Sequence, residues 1–207
     1  MSKIALQGDA SGTGTFTIAS PNSNTDRTLT LPDEAGTVLT SVSSIPVANL
    51  DSAVGITDWD QWRPTSDQGY SHTDVIDTGW ERADIGFFEK GGTGMSESSG
   101  VFTFPSTGYW QVTFIGTWTS GGVREYVGAN IEISDNSGSS FSEAAVSYDA
   151  ITSGGDYGAM QISHIVKVTN ASNFRARFKG LMQNDSTLKG NTNYQYSGAQ
   201  FIKIRGL

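Results

Sequence analysis

The chain has 207 residues, of which 13 are Lys or Arg and 21 are Asp or Glu, so its formal net charge is −8. Because phosphate backbones are bound by clustered cations, this balance argues against nucleic acid as a partner. The sequence contains no Cys, which excludes disulfides and thiol chemistry. No apolar stretch is long enough to predict a membrane span. A charged fraction of only 16% together with 25 Gly residues is typical of an all-β protein with many turns.

Residues 1–45 alternate between apolar and small polar residues in very short pieces separated by turn-forming residues. Each piece offers two or three apolar side chains, too few to offset the entropy of ordering the segment alone. The segment is therefore either disordered or paired with other copies or with a larger assembly, and its clean alternation favours pairing. We predict an N-terminal β-rich stem or anchor whose motif residues are Phe16, Ile18, Arg27, Leu29, Leu31, Gly36, Val38 and Leu39.

Residues 46–68 are predicted to be a connector, and residues 69–207 an antiparallel β-sandwich. Residues 109–119 alternate well, and residues 127–133, 159–169 and 174–179 continue the period of two between turn-rich segments. No long helical period is present. The residues predicted to pack in the core or between subunits are Trp110, Val112, Phe114, Trp118, Phe174, Phe178 and Phe201.

A stretch within this sandwich resembles a known signature. Phe102, Gly108 and Tyr109, followed by Trp110, Val112 and Phe114, resemble the second half of the signature shared by the complement-one-q globular head and tumour necrosis factor families. Trp110 stands where the family has Tyr, Val112 stands where it has Phe, and the first half of the signature is poorly met around residues 90–95. Residues 196–202 are similar to the family's closing strand. The resemblance implies a ten-stranded jelly roll that assembles as a homotrimer.

Residues 14–40 resemble a short module of bacteriophage tail-fibre and appendage proteins. The shared pattern is a Pro-Asn turn, then Arg27-Thr-Leu-Thr-Leu-Pro-Asp33, then Gly36-Thr-Val-Leu39. This resemblance implies location in a virion and contact with other virion proteins through residues 1–45.

The sequence provides few candidates for catalysis or metal binding. His72 lies in a predicted loop and His164 on the apolar face of a predicted strand, and no Gly-x-Ser-x-Gly motif is present. Paired acids such as Asp58 with Asp60 and Asp74 with Asp77 are interpreted as solvated loop residues. We therefore predict a protein that is not an enzyme and has no cofactor. The one alternative is calcium held by the oxygen-rich loops 135–140 or 149–156.

Aromatic residues are the strongest indication of a binding surface, because exposed rings can stack on sugars. The candidates for surface or glycan contact are Trp59, Trp62, Tyr70, Tyr126 and Tyr157. The alternative is that the Trp residues pack the stem against the head and that the Tyr residues lie at subunit contacts. The basic row Arg175, Arg177 and Lys179 is expected to pair with acids or to face solvent.

Together these features predict a homotrimeric virion appendage whose jelly-roll head adheres to a host-surface glycan. The alternative is a capsid decoration or tail-complex trimer that stabilises the particle, a role that the short chain favours. A glycan depolymerase is the third hypothesis, and the missing catalytic motifs argue against it.

Overall fold

The computed structural model describes residues 11–14, 24–26, 28 and 55–207. The chain divides into two compact units, Met1–Ser44 and Ile45–Leu207. The eight residues of the predicted anchor motif, from Phe16 to Leu39, lie outside the described residues.

Within residues 55–207 every regular element is a β-strand. The thirteen strands are β1 (Trp59–Pro64), β2 (Gln68–Tyr70), β3 (Asp74–Val75), β4 (Trp80–Arg82), β5 (Ser96–Ser98), β6 (Val101–Thr103), β7 (Gly108–Thr119), β8 (Arg124–Ser134), β9 (Ser142–Ile151), β10 (Tyr157–Val168), β11 (Arg175–Met182), β12 (Ser186–Leu188) and β13 (Gly198–Arg205).

The strands form two antiparallel sheets. Sheet A has the order β2-β12-β7-β13-β1-β4, and β10 pairs with β7 along its whole length, from Tyr157 opposite Thr119 to Val168 opposite Gly108. Sheet B has the order β5-β6-β11-β8-β9, with β3 also paired to β11. This arrangement confirms the predicted all-β jelly-roll sandwich.

The first strand of the sandwich lies in the range predicted to be a connector. Residues 59–64 form β1, which pairs with β13 on one side and β4 on the other. The strand ends at Pro64, whose ring removes the backbone donor that a longer ladder would need. Residues 59–64 are therefore part of sheet A.

Aromatic rings from both sheets meet in the core. Phe114 of sheet A stacks on Phe178 of sheet B with ring centroids 4.9 Å apart and an interplanar angle of 22°. Phe102 packs edge-on against Phe178 and Trp80 at 5.6 and 5.2 Å, and Phe201 lies 5.0 Å from Phe102. Alternation along β7 and β11 points these rings into the space between the sheets, so the two sheets share one aromatic core.

Glycines make room for the largest core side chain. A Cβ atom at Gly180 would lie 2.8 Å from Cη2 of Trp118, and one at Gly116 would lie 2.9 Å from its Nε1. Both glycines therefore allow the fully buried Trp118 indole to fit between the sheets.

A buried carboxylate joins β1 to the segment that follows β4. Asp60 accepts hydrogen bonds from Arg82 Nε at 2.9 Å, Trp62 Nε1 at 3.0 Å and the Met95 backbone amide at 2.7 Å. Its carboxylate accepts from five donors, because Arg82 Nη2 at 3.1 Å and the Gln61 backbone amide at 2.9 Å also donate to it. These bonds compensate the cost of burying the charge and fix the start of β5 beside β1.

We predict that Phe178→Ala lowers the free energy of unfolding by about 3–5 kcal/mol, because it removes the ring that both sheets share and leaves a cavity. The matched control is Phe87→Ala, since Phe87 is fully exposed and its truncation should change stability by less than about 0.5 kcal/mol. Urea denaturation followed by tryptophan fluorescence measures both. Equal effects of the two substitutions would contradict this account of the core.

Candidate functional site

One face of sheet A points away from the core, and we call it face A. The strand registers place its side chains in rows that cross β10, β7, β13 and β1. One row is Ile165, Gln111, Ile202 and Trp59, and the next is Ser163, Thr113, Gln200 and Gln61. Face A therefore consists of a polar centre flanked by isoleucines and one tryptophan.

Three of the polar side chains at the centre of face A bond to one another. Gln111 Nε2 donates to Ser163 Oγ at 3.2 Å, and the hydroxyl groups of Thr113 and Ser163 are 3.0 Å apart. Satisfied polar groups can be covered by a partner at a smaller cost than groups that depend on water. Two apolar members remain open, since Ile165 is 58% exposed and Trp59 is 40% exposed, whereas Ile202 is half-buried.

Charged residues are absent from the two central rows of face A. Charge enters on both sides of these rows. Lys167 and Arg205 are both paired with Tyr109 in the ladder, and on the other side Arg63 of β1 forms an ion pair with Glu81 of β4 at 2.9 Å. The outward face of sheet B differs, because Arg177 pairs there with Glu132 at 2.5 Å and covers the ring of Phe141. The cores of protein interfaces are depleted of charged residues, and the two central rows of face A share this property.

The residues predicted for core or trimer packing lie inside a single chain. Trp110, Val112, Phe114, Trp118, Phe178 and Phe201 are all fully buried between the sheets, and Phe174 packs against this cluster from its margin. The members on sheet A, which are Trp110, Val112, Phe114, Trp118 and Phe201, point to the side of the sheet opposite to face A. Any contact between copies made by sheet A therefore uses other residues than these.

The predicted surface aromatics separate into three environments. Trp62 is buried, with its indole donating to Asp60, so it is a core residue and is not available for surface contact. Trp59 and Tyr157 are exposed at opposite edges of face A. Tyr70 is half-buried against Trp118 and donates to Gln68 Oε1 at 2.6 Å. Burial raises the pKa of Tyr70, and the Asp77 and Asp74 carboxylates raise it further, so the phenol remains protonated.

Tyr126 lies on the outward face of sheet B and has a partner that the sequence analysis did not select. Its ring meets the ring of Tyr148 at 5.7 Å and 83°. Together with Thr73 and Leu181 these rings line a cavity of about 410 Å³, which we call the tyrosine cavity. Tyr148 could not be selected from sequence spacing alone, because its position beside Tyr126 depends on the register between β8 and β9.

Neither histidine belongs to a catalytic arrangement that the geometry supports. His72 Nδ1 lies 3.1 Å from Ser71 Oγ, but its Nε2 is 3.7 Å from Asp74, beyond hydrogen-bonding distance. The His72 and Asp74 side chains are 75% and 57% exposed, so water screens the pair. His164 is partly buried and lines a cavity of about 310 Å³ with Glu143, Lys167 and other residues.

The candidate calcium loops use their oxygen atoms internally. Asn136 Oδ1 accepts from Ser134 Oγ at 2.8 Å and from the Ser140 amide at 3.0 Å. The two Asp149 oxygens accept from the backbone amides of Ala150 and Ala159. Among the described residues no group of three or more His, Asp or Glu side chains is placed to hold a metal ion, and no helix in that part of the chain has the length and hydropathy to cross a membrane.

No protein-family model matches the chain, and no curated protein is similar to it in sequence. Several solved structures share its fold. The structure of Eiger TNF from S. frugiperda superposes with a TM-score of 0.53 at 10% identity, over 72% of this chain and 93% of that one. The structure of murine APRIL at pH 5.0 gives 0.50 at 10% identity, over 71% and 98%. The sandwich is therefore a jelly roll similar to that of a tumour necrosis factor.

The vertex protein P5 of PRD1 also aligns with the chain, over 73% of this chain and 99% of that one at 14% identity. Its TM-score of 0.38 is too low to carry an argument about fold or role.

Proposed function

We propose that three copies of this chain assemble through face A and form the non-enzymatic head of a bacteriophage virion appendage that adheres to a host-surface glycan. The observation that carries the proposal is face A itself, a partly hydrogen-bonded surface with an exposed isoleucine, an exposed tryptophan and no charge in its two central rows. A surface of this composition suits burial against another copy.

The threefold arrangement is supported by the resemblance to the complement-one-q and tumour necrosis factor signature. Sheet A has a long edge strand, β10, whose outer ladder groups have no partner strand within residues 55–207. An open edge of this length is a liability that association removes. In a closed ring of three copies, contacts between neighbouring copies would cover both the open edge of β10 and face A.

The virion setting is supported by the sequence pattern of residues 14–40, which resembles phage appendage modules. In this proposal residues 1–45 contact other virion proteins, and the sandwich projects outward. The fold itself is compatible with many functions, so the setting depends on that pattern and not on the jelly roll.

Adhesion is favoured over a role in capsid decoration by the tyrosine cavity. Tyr126 and Tyr148 are 39% and 55% exposed on sheet B, the sheet that does not carry face A. A trimer formed through face A would therefore leave this cavity open to solvent. Decoration needs no such cavity, whereas adhesion requires an accessible binding site.

We predict that Ile165→Glu weakens the assembly at least about tenfold, because it would bury an unpaired carboxylate against an uncharged part of the interface. The control is Val123→Glu, which introduces the same charge at a residue that is 62% exposed, close to the 58% of Ile165, but lies outside face A. Light scattering after gel filtration should give three times 22.1 kDa for the wild-type chain and for the control, and a smaller mass for Ile165→Glu.

A wild-type chain that elutes as a monomer at micromolar concentration would overturn the proposed assembly. So would an Ile165→Glu variant that retains the wild-type mass, because an unpaired charge buried in a true interface could not be accommodated without loss.

We expect excess purified protein to reduce adsorption of the parent phage to its host, because free heads would occupy the receptor. The measurement is the fraction of unadsorbed phage with and without protein, with the Ile165→Glu variant as a control of reduced valency. Unchanged adsorption, combined with loss of particle stability when the gene is deleted, would instead support capsid decoration.

A further inference from the structure

We propose that the tyrosine cavity binds a neutral pyranose ring of the host-surface glycan. The inference rests on the proposed adhesive function and adds the position of the ligand and its chemical class. The cavity is formed by Thr73, Tyr126, Tyr148 and Leu181, which come from the loop after β2 and from strands β8, β9 and β11. The β-strands of a sandwich hold such walls in fixed positions.

The register of sheet B creates the cavity by placing a glycine between two side chains. Leu181 of β11 pairs with Gly128 of β8, and Gly128 pairs with Tyr148 of β9. Gly128 provides no side chain between them, so the space above the strand backbone stays open. A Cβ atom at this position would lie 2.9 Å from Tyr148 Cδ1 and 2.3 Å from the Ser147 carbonyl oxygen. The close packing of Tyr148 over β8 therefore depends on this glycine.

The two tyrosine rings make a corner. Their planes are nearly perpendicular, at 83°, with centroids 5.7 Å apart. The face of an aromatic ring carries negative partial charge and attracts the weakly positive C–H groups of a sugar. A corner of two rings can contact a flat pyranose on its face and along its edge, whereas an isolated exposed ring offers one surface only.

Three hydroxyl groups at the cavity are available to a ligand. Within residues 55–207, the side-chain hydroxyl groups of Thr73, Tyr126 and Tyr148 make no hydrogen bond to protein atoms, whereas Tyr70 bonds to Gln68. Each hydroxyl can both donate and accept. A sugar, which presents C–H surface and hydroxyl groups together, satisfies both the rings and these groups. A purely apolar ligand would leave them without partners.

The electrostatics favour a neutral sugar over an acidic one. None of the four residues that line the cavity is charged, and the net charge of −8 opposes the approach of anions to the protein as a whole. Its volume of about 410 Å³ falls within the roughly 300–1,000 Å³ typical of small-molecule sites. In a trimer the site would occur three times, and multivalent binding would strengthen a weak single contact.

The test uses full-length protein and biolayer interferometry on polyacrylamide that carries β-galactose, β-glucose, N-acetylglucosamine or N-acetylneuraminic acid. We expect binding to at least one neutral probe and weaker binding to the acidic one. Tyr148→Ala and Tyr126→Ala should each weaken neutral binding at least about tenfold, equivalent to about 1.4 kcal/mol. Tyr148→Phe, which keeps the ring and removes the hydroxyl, should bind with intermediate strength.

The matched control is Tyr194→Ala. Tyr194 is 48% exposed and also forms an edge-on tyrosine pair, with Tyr196 at 5.0 Å and 64°, but it lines no part of the tyrosine cavity. Its truncation should leave glycan binding unchanged. Because Tyr126, Tyr148 and Tyr194 are all exposed, the variants should fold, and the mass of each assembly is measured on the same samples.

The inference would be overturned by a wild-type protein that binds none of the neutral probes, by preference for the acidic probe, or by wild-type binding in both cavity variants. Failure of the proposed function has a different readout, which is loss of the trimeric mass or of the block to phage adsorption. Adsorption blocked equally by wild type and by both cavity variants would leave adhesion standing and remove the tyrosine cavity as its site.

Discussion

Strand β7 pairs with three other strands of sheet A, β10, β12 and β13, and both of its faces have the composition of a buried surface. One face carries the fully buried Trp110, Phe114 and Trp118, which pack against sheet B. The other carries Thr113, only 4% exposed, within the two uncharged central rows of face A. Because the second face of β7 also lacks charge, we expect both faces of this strand to be buried. The sandwich of a single chain covers only one of them. The proposed assembly follows from this constraint, since the core already occupies the first face.

The two outward faces of the sandwich differ in composition and in the role that we propose for them. The two central rows of face A are uncharged and partly hydrogen-bonded, which suits contact between copies, while the outward face of sheet B holds the Arg177–Glu132 ion pair and the tyrosine cavity. Because the two surfaces are on different sheets, the proposed assembly and the proposed ligand site do not compete for the same residues. The similarity to Eiger TNF and murine APRIL at 10% identity establishes the fold. The proposed function depends instead on these surfaces and on the N-terminal sequence pattern.

Periodicity predicted the parts of the fold that depend on local sequence. The alternation in residues 109–119 was sufficient to identify β7 and its core face, because a period of two assigns each side chain to one side of a sheet. It could not identify β1, since the run from Trp59 to Pro64 contains Asp60 and Arg63. Asp60 is compatible with a buried strand only because Arg82, 22 residues away, reaches its carboxylate. The tyrosine cavity was half predicted for a similar reason: Tyr126 is visible as an aromatic residue, but its neighbour is fixed by strand pairing.

The most direct test of the central claim measures whether face A is covered in the native protein. The chain contains no Cys, so a Ser163→Cys variant provides a single reporter in the central row of face A. Ser172→Cys, in the exposed turn between β10 and β11, is the matched control. We predict that a maleimide labels residue 172 rapidly and residue 163 only after denaturation. Equal labelling of the two cysteines in native protein at micromolar concentration would contradict the account.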